Sequence, residues 1–305
     1  MFHSLLVPLD GSEFSERSLP FARAIARTTS ASLHLVQVAA PAVQAHFISS
    51  SAFEYQGLDL EGYAQRHRTE AQQYLESVAK RCDDDGVSVS AELLEGGVAD
   101  QLAWYAGHIE ADLIVMTTHG RSGVSRMWLG SVADALVRHT SVPVFLMHPD
   151  DPYGVPDEVG SIDHILVPLD GSPLAEAVLK PATAMAEATG ARLTLTHMVS
   201  SHAVLGAQLF PLLPDDIVIV REKAEEYLKG VAEGLRAKGL TVETHLEEHE
   251  SPASAIAEIA EKVDAKLIAL ATHGYGGLKK ALLGSVADKV LRASSLPLLV
   301  VRPAE

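Results

Sequence analysis

The chain has a single cysteine, Cys82, and no run of about 18 apolar residues. One cysteine cannot form an intramolecular disulfide, which excludes the disulfide-rich scaffolds of small secreted proteins. Without a long apolar run, a membrane-spanning helix is not expected. The first residues also lack the charged and apolar regions of a secretory signal. We therefore expect a cytoplasmic protein with no membrane partner.

Several motifs of nucleotide-binding and hydrolytic enzymes are also missing. The sequence has no G-x-x-x-x-G-K-[ST] phosphate loop, no G-x-G-x-x-G after its first strand and no H-E-x-x-H metal motif. It has no G-x-S-x-G nucleophile motif either. We expect no catalytic residue and no metal site made by protein side chains alone. His119 and His273 occur without a partner cysteine or serine, so we expect them to pack in the loops or to support the site indirectly rather than to act in catalysis.

Acidic residues outnumber basic ones along the whole chain. The formal net charge is −16, and residues 1–150 and 151–305 each contribute −8. Nucleic acids bind to positively charged surfaces, so we expect no nucleic-acid partner. A small anion held by backbone N–H groups is still compatible with this charge.

The strongest positive feature is an internal duplication. Leu6–Ser12 and Thr118–Asp134 in the first half match Leu166–Ser172 and Thr272–Asp288 in the second. In each longer block, a Thr-His-Gly triplet is followed, after nine residues, by Gly-Ser-Val-Ala-Asp. Such a repeat indicates two copies of one domain.

We predict domains at residues 1–149 and 160–305, joined by a linker at 150–159. Short apolar strands alternate with helical segments in each half, and two of these helices are predicted at Glu13–Thr29 and Leu174–Thr189. This alternation is typical of a parallel sheet that is covered by helices on both faces. Right-handed crossovers then give a doubly wound α/β sandwich, which binds ligands at the carboxyl ends of its strands.

Two less regular stretches, Ala39–Gly57 and Ser200–Pro214, follow the second strand of each half. Both mix apolar and small residues. Each could be a lid, an interface segment or a packed surface loop, and loop length alone does not choose between these alternatives.

An aspartate follows the first strand of each half, at Asp10 and Asp170. A carboxylate at that edge can accept hydrogen bonds from ribose hydroxyls or reach a metal ion. The alternative is helix capping, because Ser12 and Ser172 have the pattern of N-cap residues. Capping accounts for the serines but not for the aspartates, so we predict a ligand role for the aspartates.

Each Thr-His-Gly triplet begins a glycine-rich loop that leads into a helix. The free N–H groups at a helix N-terminus bind phosphate well. The alternative is a structural capping box, since Ser131 and Ser285 each stand three residues before an aspartate. Cations in the loops favour a polyphosphate ligand. These cations are Arg121, Arg126, Lys279 and Lys280.

The sequence resembles the universal stress protein family, in its tandem two-domain form, over essentially the whole chain. The family's nucleotide signature is G-x-x-G, nine residues, then G-[ST]. Small residues, Thr117 and Ala271, replace its first glycine in the two halves. The remaining signature positions are matched by Gly120, Gly130 and Ser131 and by Gly274, Gly284 and Ser285.

The resemblance implies a fold for each half. Each would be an adenine nucleotide alpha hydrolase-like sandwich with a five-stranded parallel sheet in the order 3-2-1-4-5. Family members commonly pair through the fifth strand. Val144–Met147 and Leu298–Val301 would then join the halves as an internal pseudo-dimer, and a homodimer of the whole chain is a further expectation.

The resemblance also implies an adenine nucleotide ligand, ATP, ADP or AMP, with Mg²⁺ bound through the phosphates. Asp10 would contact the ribose and the Val38 backbone would contact adenine. The expected contacts in the first half are Pro8, Leu9, Asp10, Val38, Met116, Thr117, Gly120, Arg121, Gly130, Ser131 and Val132. In the second half they are Pro168, Leu169, Asp170, Met198, Leu270, Ala271, Gly274, Gly284, Ser285 and Val286.

We accordingly expect a cytoplasmic stress protein that senses adenine nucleotide and is not an enzyme beyond weak ATP hydrolysis. A nucleotide-free scaffold that acts through protein contacts is one alternative, which Thr117 and Ala271 favour. A true ATPase is the other, although the sequence places no general base or nucleophile.

Overall fold

A computed structural model of the chain describes residues 1–39, 60–83, 86–118, 129–147, 161–200, 202–205, 208–211, 213–249, 251–272 and 283–303. The predicted linker at 150–159, most of the first irregular stretch and most of each glycine-rich loop lie outside these residues. None of the helices in the described part of the chain combines the length and the apolar character needed to cross a bilayer.

The elements follow the same order in both halves, apart from one hairpin. The first half has β1 (Ser4–Pro8), α1 (Glu13–Glu16), α2 (Leu19–Thr29), β2 (Ser32–Ala39), α3 (Leu60–Cys82), β3 (Val89–Glu95), α4 (Val98–His108), β4 (Leu113–Thr117), α5 (Ser131–His139) and β5 (Val144–Met147). The second half has β6 (His164–Pro168), α6 (Pro173–Glu176), α7 (Leu179–Thr189), β7 (Arg192–Val199), β8 (His202–Leu205), β9 (Gln208–Pro211), α8 (Pro214–Arg236), β10 (Val242–Glu248), α9 (Pro252–Lys262), β11 (Leu267–Ala271), α10 (Ser285–Ala293) and β12 (Leu298–Val301).

Each half contains a parallel sheet of five strands. The order is β3-β2-β1-β4-β5 in the first half and β10-β7-β6-β11-β12 in the second. All neighbouring strands within each five-stranded sheet are parallel. The expected order 3-2-1-4-5 is therefore confirmed in both copies, as is the doubly wound α/β class.

The two sheets join edge to edge through β5 and β12, which pair antiparallel. Phe145 lies opposite Leu299, and Val144 lies opposite Val300. All four side chains are buried. The result is one ten-stranded sheet, so the internal pseudo-dimer implied by the family resemblance is present. The pairing also covers two strand edges that would otherwise present unpaired backbone groups.

Successive strand residues point to opposite faces of the sheet, and each face has its own core. Leu5 and Val7 pack on the face covered by α2, α3, α7 and α8. Leu6, between them, packs on the face covered by α4, α5, α9 and α10. Both cores contain residues from the two halves, so the joined sheet is covered continuously on both sides.

The prediction of one continuous helix at Glu13–Thr29, and of another at Leu174–Thr189, is wrong, because each segment forms two helices. The first becomes α1 and α2, and the second becomes α6 and α7. Pro20 and Pro181 lie just after the breaks. Proline has no amide hydrogen, so neither residue can donate the hydrogen bond that would continue the preceding helix.

The prediction of an irregular stretch at Ser200–Pro214 is also wrong in part. β8 and β9 lie within it and form a two-stranded antiparallel sheet. The other stretch, Ala39–Gly57, lies outside the described residues beyond its first residue, so its role as a lid, interface segment or loop stays a prediction.

The junction gives a first testable prediction. Phe145 is fully buried at the centre of the joined sheet, and its ring stacks on that of Phe21 with centroids 4.3 Å apart. Phe145→Ala would leave a cavity and lower the free energy of unfolding by about 3–5 kcal/mol. Urea unfolding followed by circular dichroism measures the loss. Val218→Ala, at an exposed helical position, is the control, and a loss no larger than that of the control would contradict this account of the junction.

Candidate functional site

A cavity of about 330 Å³ lies at the carboxyl ends of β1, β2 and β4, beside the first turns of α4 and α5. Its volume is within the usual range for small-molecule sites. The chain leaves β1 for β2 on one side and reaches β4 on the other. The cavity therefore occupies the switch point in strand order, where doubly wound sheets bind ligands.

The cavity brings together every described residue that the resemblance assigned to the first half. These residues are Pro8, Leu9, Asp10, Val38, Met116, Thr117, Gly130, Ser131 and Val132. Gly120 and Arg121, which complete the expected set, lie outside the described residues. Residues outside the expected set of contacts also contribute to the lining: Ser15, Val36, Val98, Leu102, Thr118 and Ala133. Most of these are apolar or small, and periodicity alone marks them only as core.

Asp10 is held in a tight turn at the end of β1. Its Oδ1 accepts hydrogen bonds from the Ser12 N–H at 3.0 Å and the Ser12 hydroxyl at 2.6 Å. Gly11 between them has φ +82°, a left-handed conformation that favours glycine. The Asp10 N–H in turn donates to Ser15 Oγ at 3.3 Å. The turn fixes the carboxylate at the rim of the cavity.

The predicted capping role of the two serines is confirmed. Ser12 is the N-cap of α1, where its hydroxyl accepts a hydrogen bond from the Ser15 N–H, and Ser172 caps α6 through the Ala175 N–H. Asp170 accepts the Ser172 N–H and hydroxyl at 2.9 and 2.6 Å, as Asp10 does in the first half. Capping and the strand-end aspartate are thus two parts of one turn.

The cavity ends at the N-terminus of α5, and the capping-box alternative for Ser131 and Ser285 is wrong. Gly130 and Gly284 are the N-caps of α5 and α10, and as glycines they supply no side-chain capping hydrogen bond. Asp134, which would complete such a box, instead binds Arg138 at 2.8 and 2.9 Å. The first-turn N–H groups of α5 consequently face the cavity without a side-chain cap among the described residues.

Each glycine-rich loop closes on the same hydrogen bond. The Gly130 N–H donates to the Thr118 carbonyl at 2.8 Å, and the Gly284 N–H donates to that of Thr272 at 2.8 Å. This bond brings the Thr-His-Gly triplet and the Gly-Ser-Val-Ala-Asp block together across the loop. His119, His273 and the four loop cations lie outside the described residues, so their predicted roles stay predictions.

The second half places its expected contacts in the same way. Pro168 ends β6 and is followed by Leu169 and Asp170, Met198 lies on β7, and Leu270 and Ala271 end β11. Gly284 is the N-cap of α10, and Ser285 and Val286 are its first residues. Gly274 lies outside the described residues. Thr117 and Ala271, which replace the first glycine of the signature, occupy the last position of β4 and of β11.

Acidic and basic side chains link the first turns of α5 and α10 to the opposite half. Arg138 contacts Asp288 at 3.7 Å, and Arg292 contacts Asp134 at 4.0 Å. Within its own helix, each arginine binds the aspartate one turn earlier. The helices that begin at the two sites therefore meet each other through a four-member ion network.

A polar cluster lies beside Asp170 on β7 and the neighbouring helices. The His197 ring packs edge-on against Tyr227, with centroids 6.1 Å apart, and the Tyr227 hydroxyl donates to Glu176 at 3.0 Å. Burial lowers the pKa of His197, although the Asp170 carboxylate acts in the opposite direction. Burial raises the pKa of Tyr227, and Glu176 raises it further.

Sequence reasoning missed this cluster, because Glu176, His197 and Tyr227 lie far apart in the chain and no sequence motif joins them. The repeat did contain a sign of it, because Glu16 and Tyr74 stand at the matching positions of the first half. The pKa of Tyr74 is likewise raised, first by burial and then by Glu16. The first half has Gln37 where the second has His197, so only one copy carries a titratable group there.

Comparison with known proteins agrees with this architecture. The model of the universal stress protein family matches residues 1–148 and again 161–302. Over 194 residues the chain is 32% identical to a universal stress protein of Mycobacterium tuberculosis, and the match covers 63% of this chain and 62% of that protein. The chain thus spans less than two thirds of this relative's length.

Two further matches extend over nearly the whole chain. A universal stress protein of Mycolicibacterium smegmatis is 27% identical over 303 residues, which are 99% of this chain and 97% of that protein. The crystal structure of a universal stress protein from Archaeoglobus fulgidus superposes with a TM-score of 0.72 at 21% identity, covering 99% of this chain and 98% of that one. At that identity, the likeness concerns the fold.

Fold and site together define a tandem protein of two doubly wound α/β domains, with the candidate site at the strand switch point. The family model matches the chain twice and covers most of its residues, and these two matches identify the family. The chain belongs to the universal stress protein family, with two copies of the domain in one polypeptide.

The buried histidine gives a pH prediction. The unfolded chain takes up a proton near the ordinary histidine pKa of about 6.5, whereas folded His197 takes it up only at lower pH. The contribution of His197 to the free energy of unfolding is therefore at its maximum above about pH 6.5. It falls as the pH drops below that value, by at most about 1.4 kcal/mol per pH unit for one group. His197→Gln, which installs the first-half residue, should make this fall shallower.

Urea unfolding between about pH 5 and 7.5 measures the effect. Burial also lowers the pKa of His34 and His164, so part of the fall should remain in the variant. Val218→Ala, which changes no titratable group at an exposed helical position, is the control and should keep the wild-type pH dependence. Identical pH profiles for wild type and His197→Gln would contradict the role given to burial.

Proposed function

We propose that the chain binds adenine nucleotide, ATP, ADP or AMP, at the first-half cavity and at the equivalent second-half position, and that it acts as a cytoplasmic sensor in a stress response. One observation carries the proposal. The N-terminus of α5, whose N-cap Gly130 has no side chain, and the strand-end Asp10 border the same cavity of about 330 Å³. A donor-rich helix start suits phosphate, and a carboxylate suits ribose hydroxyls.

The residues present fit the three parts of such a ligand. Apolar lining from Val38 and Met116 suits a purine ring, and Asp10 at the rim suits the ribose. The first turn of α5, from Gly130 to Val132, would hold the phosphates through backbone N–H groups. Mg²⁺ would be bound largely by the phosphates, since it commonly reaches a protein through its nucleotide.

The proposal gives the site a binding role and at most weak ATP hydrolysis. Asp10 is the only acidic residue that lines the cavity in the described part of the chain. Its Oδ1 is already held by two hydrogen bonds from Ser12, which suits an anchoring carboxylate better than a general base. Binding without fast turnover is what a nucleotide sensor requires.

A scaffold function is the second candidate, and one surface feature favours it. Four large apolar side chains are exposed at the start of α8. They are Leu213, Val218, Ile219 and Val220. Exposed apolar residues grouped in this way are typical of protein contact sites. A scaffold would act through such contacts whether or not nucleotide is bound.

The helix starts provide a sharp test of nucleotide binding. Gly130 has φ −58° and Gly284 has φ −58°, so other residues fit the backbone at both positions. Aspartate is a favoured N-cap, and Gly130→Asp should therefore keep the fold while placing a carboxylate where phosphate is expected. We expect ATP·Mg²⁺ affinity in the first half to fall at least about 30-fold, since like charges at close range repel strongly.

Isothermal titration calorimetry measures affinity and stoichiometry, and thermal unfolding checks the fold. Gly284→Asp is the matched variant for the second half, and the double variant should bind no nucleotide. Gly230→Asp, at an exposed position of α8 where a built Cβ atom has no neighbour within 4 Å, controls for a general effect of the added negative charge. Unchanged ATP binding in the double variant would contradict the proposal. An absence of ATP, ADP and AMP binding at millimolar concentration in wild type would favour the scaffold.

A further inference from the structure

Thr196 carries a buried hydroxyl with no hydrogen-bond partner among the described residues. The residue is fully buried in β7. Most buried polar side-chain atoms in folded proteins have a partner, because a buried hydroxyl without one destabilises the fold. Valine has nearly the same shape and no hydroxyl to leave without a partner, so packing alone does not account for threonine at this position.

The position of Thr196 is defined by the repeat. Thr196 pairs with Pro168 in the second half as Val36 pairs with Pro8 in the first. The Leu169 N–H donates to the Thr196 carbonyl at 2.8 Å, and the matching bond from Leu9 to Val36 is 2.7 Å. Thr196 is therefore the second-half counterpart of Val36, and Val36 lines the cavity of the first half.

The hydroxyl lies on the side of the sheet that faces the candidate site. Leu195 packs in the core beneath α7 and α8, whereas Met198 packs in the core beneath α9 and α10. Since side chains alternate along a strand, Thr196 shares the face of Met198. Met198 is the residue expected to contact adenine in the second half, and α10 begins on this same face.

We propose that Thr196 determines the specificity of the second-half site by forming a hydrogen bond with a polar atom of the nucleotide base. The inference rests on the proposed nucleotide function and adds to it a difference between the halves. At this position the first half has the hydrocarbon side chain of Val36, whereas the second half has the Thr196 hydroxyl, which can donate and accept hydrogen bonds. A site with a buried hydroxyl discriminates strongly for a base that pairs with it, since any other base leaves the hydroxyl without a partner.

A second observation separates Thr196 from its neighbour on the same face. Thr194 is also buried, but its hydroxyl lies 2.7 Å from Nε2 of His164. Thr194 is two residues further from the carboxyl end of β7 and its polar group is satisfied within the protein. The two threonines thus offer the same residue type on one strand. Thr194 has a hydrogen-bond partner within the protein, and Thr196 has none among the described residues.

The test uses the full chain with Gly130→Asp, which leaves only the second half to bind. In that background Thr196→Val should weaken ATP·Mg²⁺ binding about tenfold by calorimetry, as expected for the loss of one hydrogen bond to a ligand. Binding of inorganic tripolyphosphate with Mg²⁺ should not change, because the hydroxyl is assigned to the base. The melting temperature without ligand should stay the same or rise, because an unpaired buried hydroxyl has been removed.

Thr194→Val is the control and should give the opposite pattern. It removes one of the two side-chain hydrogen-bond partners that His164 has among the described residues, so it should lower the melting temperature without ligand and leave ATP·Mg²⁺ affinity unchanged. Thr196→Ser keeps the hydroxyl, so its ATP·Mg²⁺ affinity should stay close to that of the Gly130→Asp chain. That result would show that Thr196→Val loses affinity through the hydroxyl and not through misfolding.

The outcomes separate this inference from the proposed function. If the Gly130→Asp chain binds ATP·Mg²⁺ and Thr196→Val leaves that affinity unchanged, the inference is wrong and nucleotide binding stands. An equal loss of ATP and tripolyphosphate affinity would also overturn it, since the hydroxyl would then not act on the base. If wild type binds nucleotide only in its first half, the second half has no base to recognise and the inference fails. If wild type binds none, both fail.

Discussion

The antiparallel pairing of β5 with β12 is the contact on which the rest of the molecule depends. Each half by itself would end in a strand of four apolar residues with one bare edge. Pairing these edges buries both strands and turns two five-stranded sheets into one. Because α5 leads directly into β5, and α10 into β12, the same pairing sets the two helices side by side. The ion network between Arg138, Asp134, Arg292 and Asp288 forms as a consequence.

The start of α5 therefore serves two surfaces within a single turn. Gly130 borders the cavity, whereas Asp134 reaches towards the other half. At 1.5 Å of rise per residue, these positions are only about 6 Å apart along the helix axis. The candidate site and the junction between domains consequently share one rigid element. Any force that moves the start of this helix acts on both.

The two copies keep one backbone frame and differ in the side chains placed on it. The loop-closing bonds to Thr118 and Thr272 are alike because backbone groups supply them, and these groups do not depend on residue type. Side chains on the same frame have diverged: Val36 corresponds to Thr196 and Gln37 to His197. The duplicated backbone frame thus carries different side chains in the two halves, so the two candidate sites are chemically unequal.

The sequence by itself determined the duplication, the α/β class and the residues that gather at the strand ends, because these depend on spacing and on local preference within short segments. It also placed Ser12 and Ser172 as caps, since a cap bonds to a residue only three positions away. Only the tertiary structure decided that Gly130 rather than Ser131 is the N-cap of α5 and that Arg138 binds the aspartate of the apparent capping box. It also decided that the buried Thr196 hydroxyl has no hydrogen-bond partner in the part of the chain that the structure describes. Those outcomes depend on packing between segments far apart in the chain, and no local pattern records which distant group will be there.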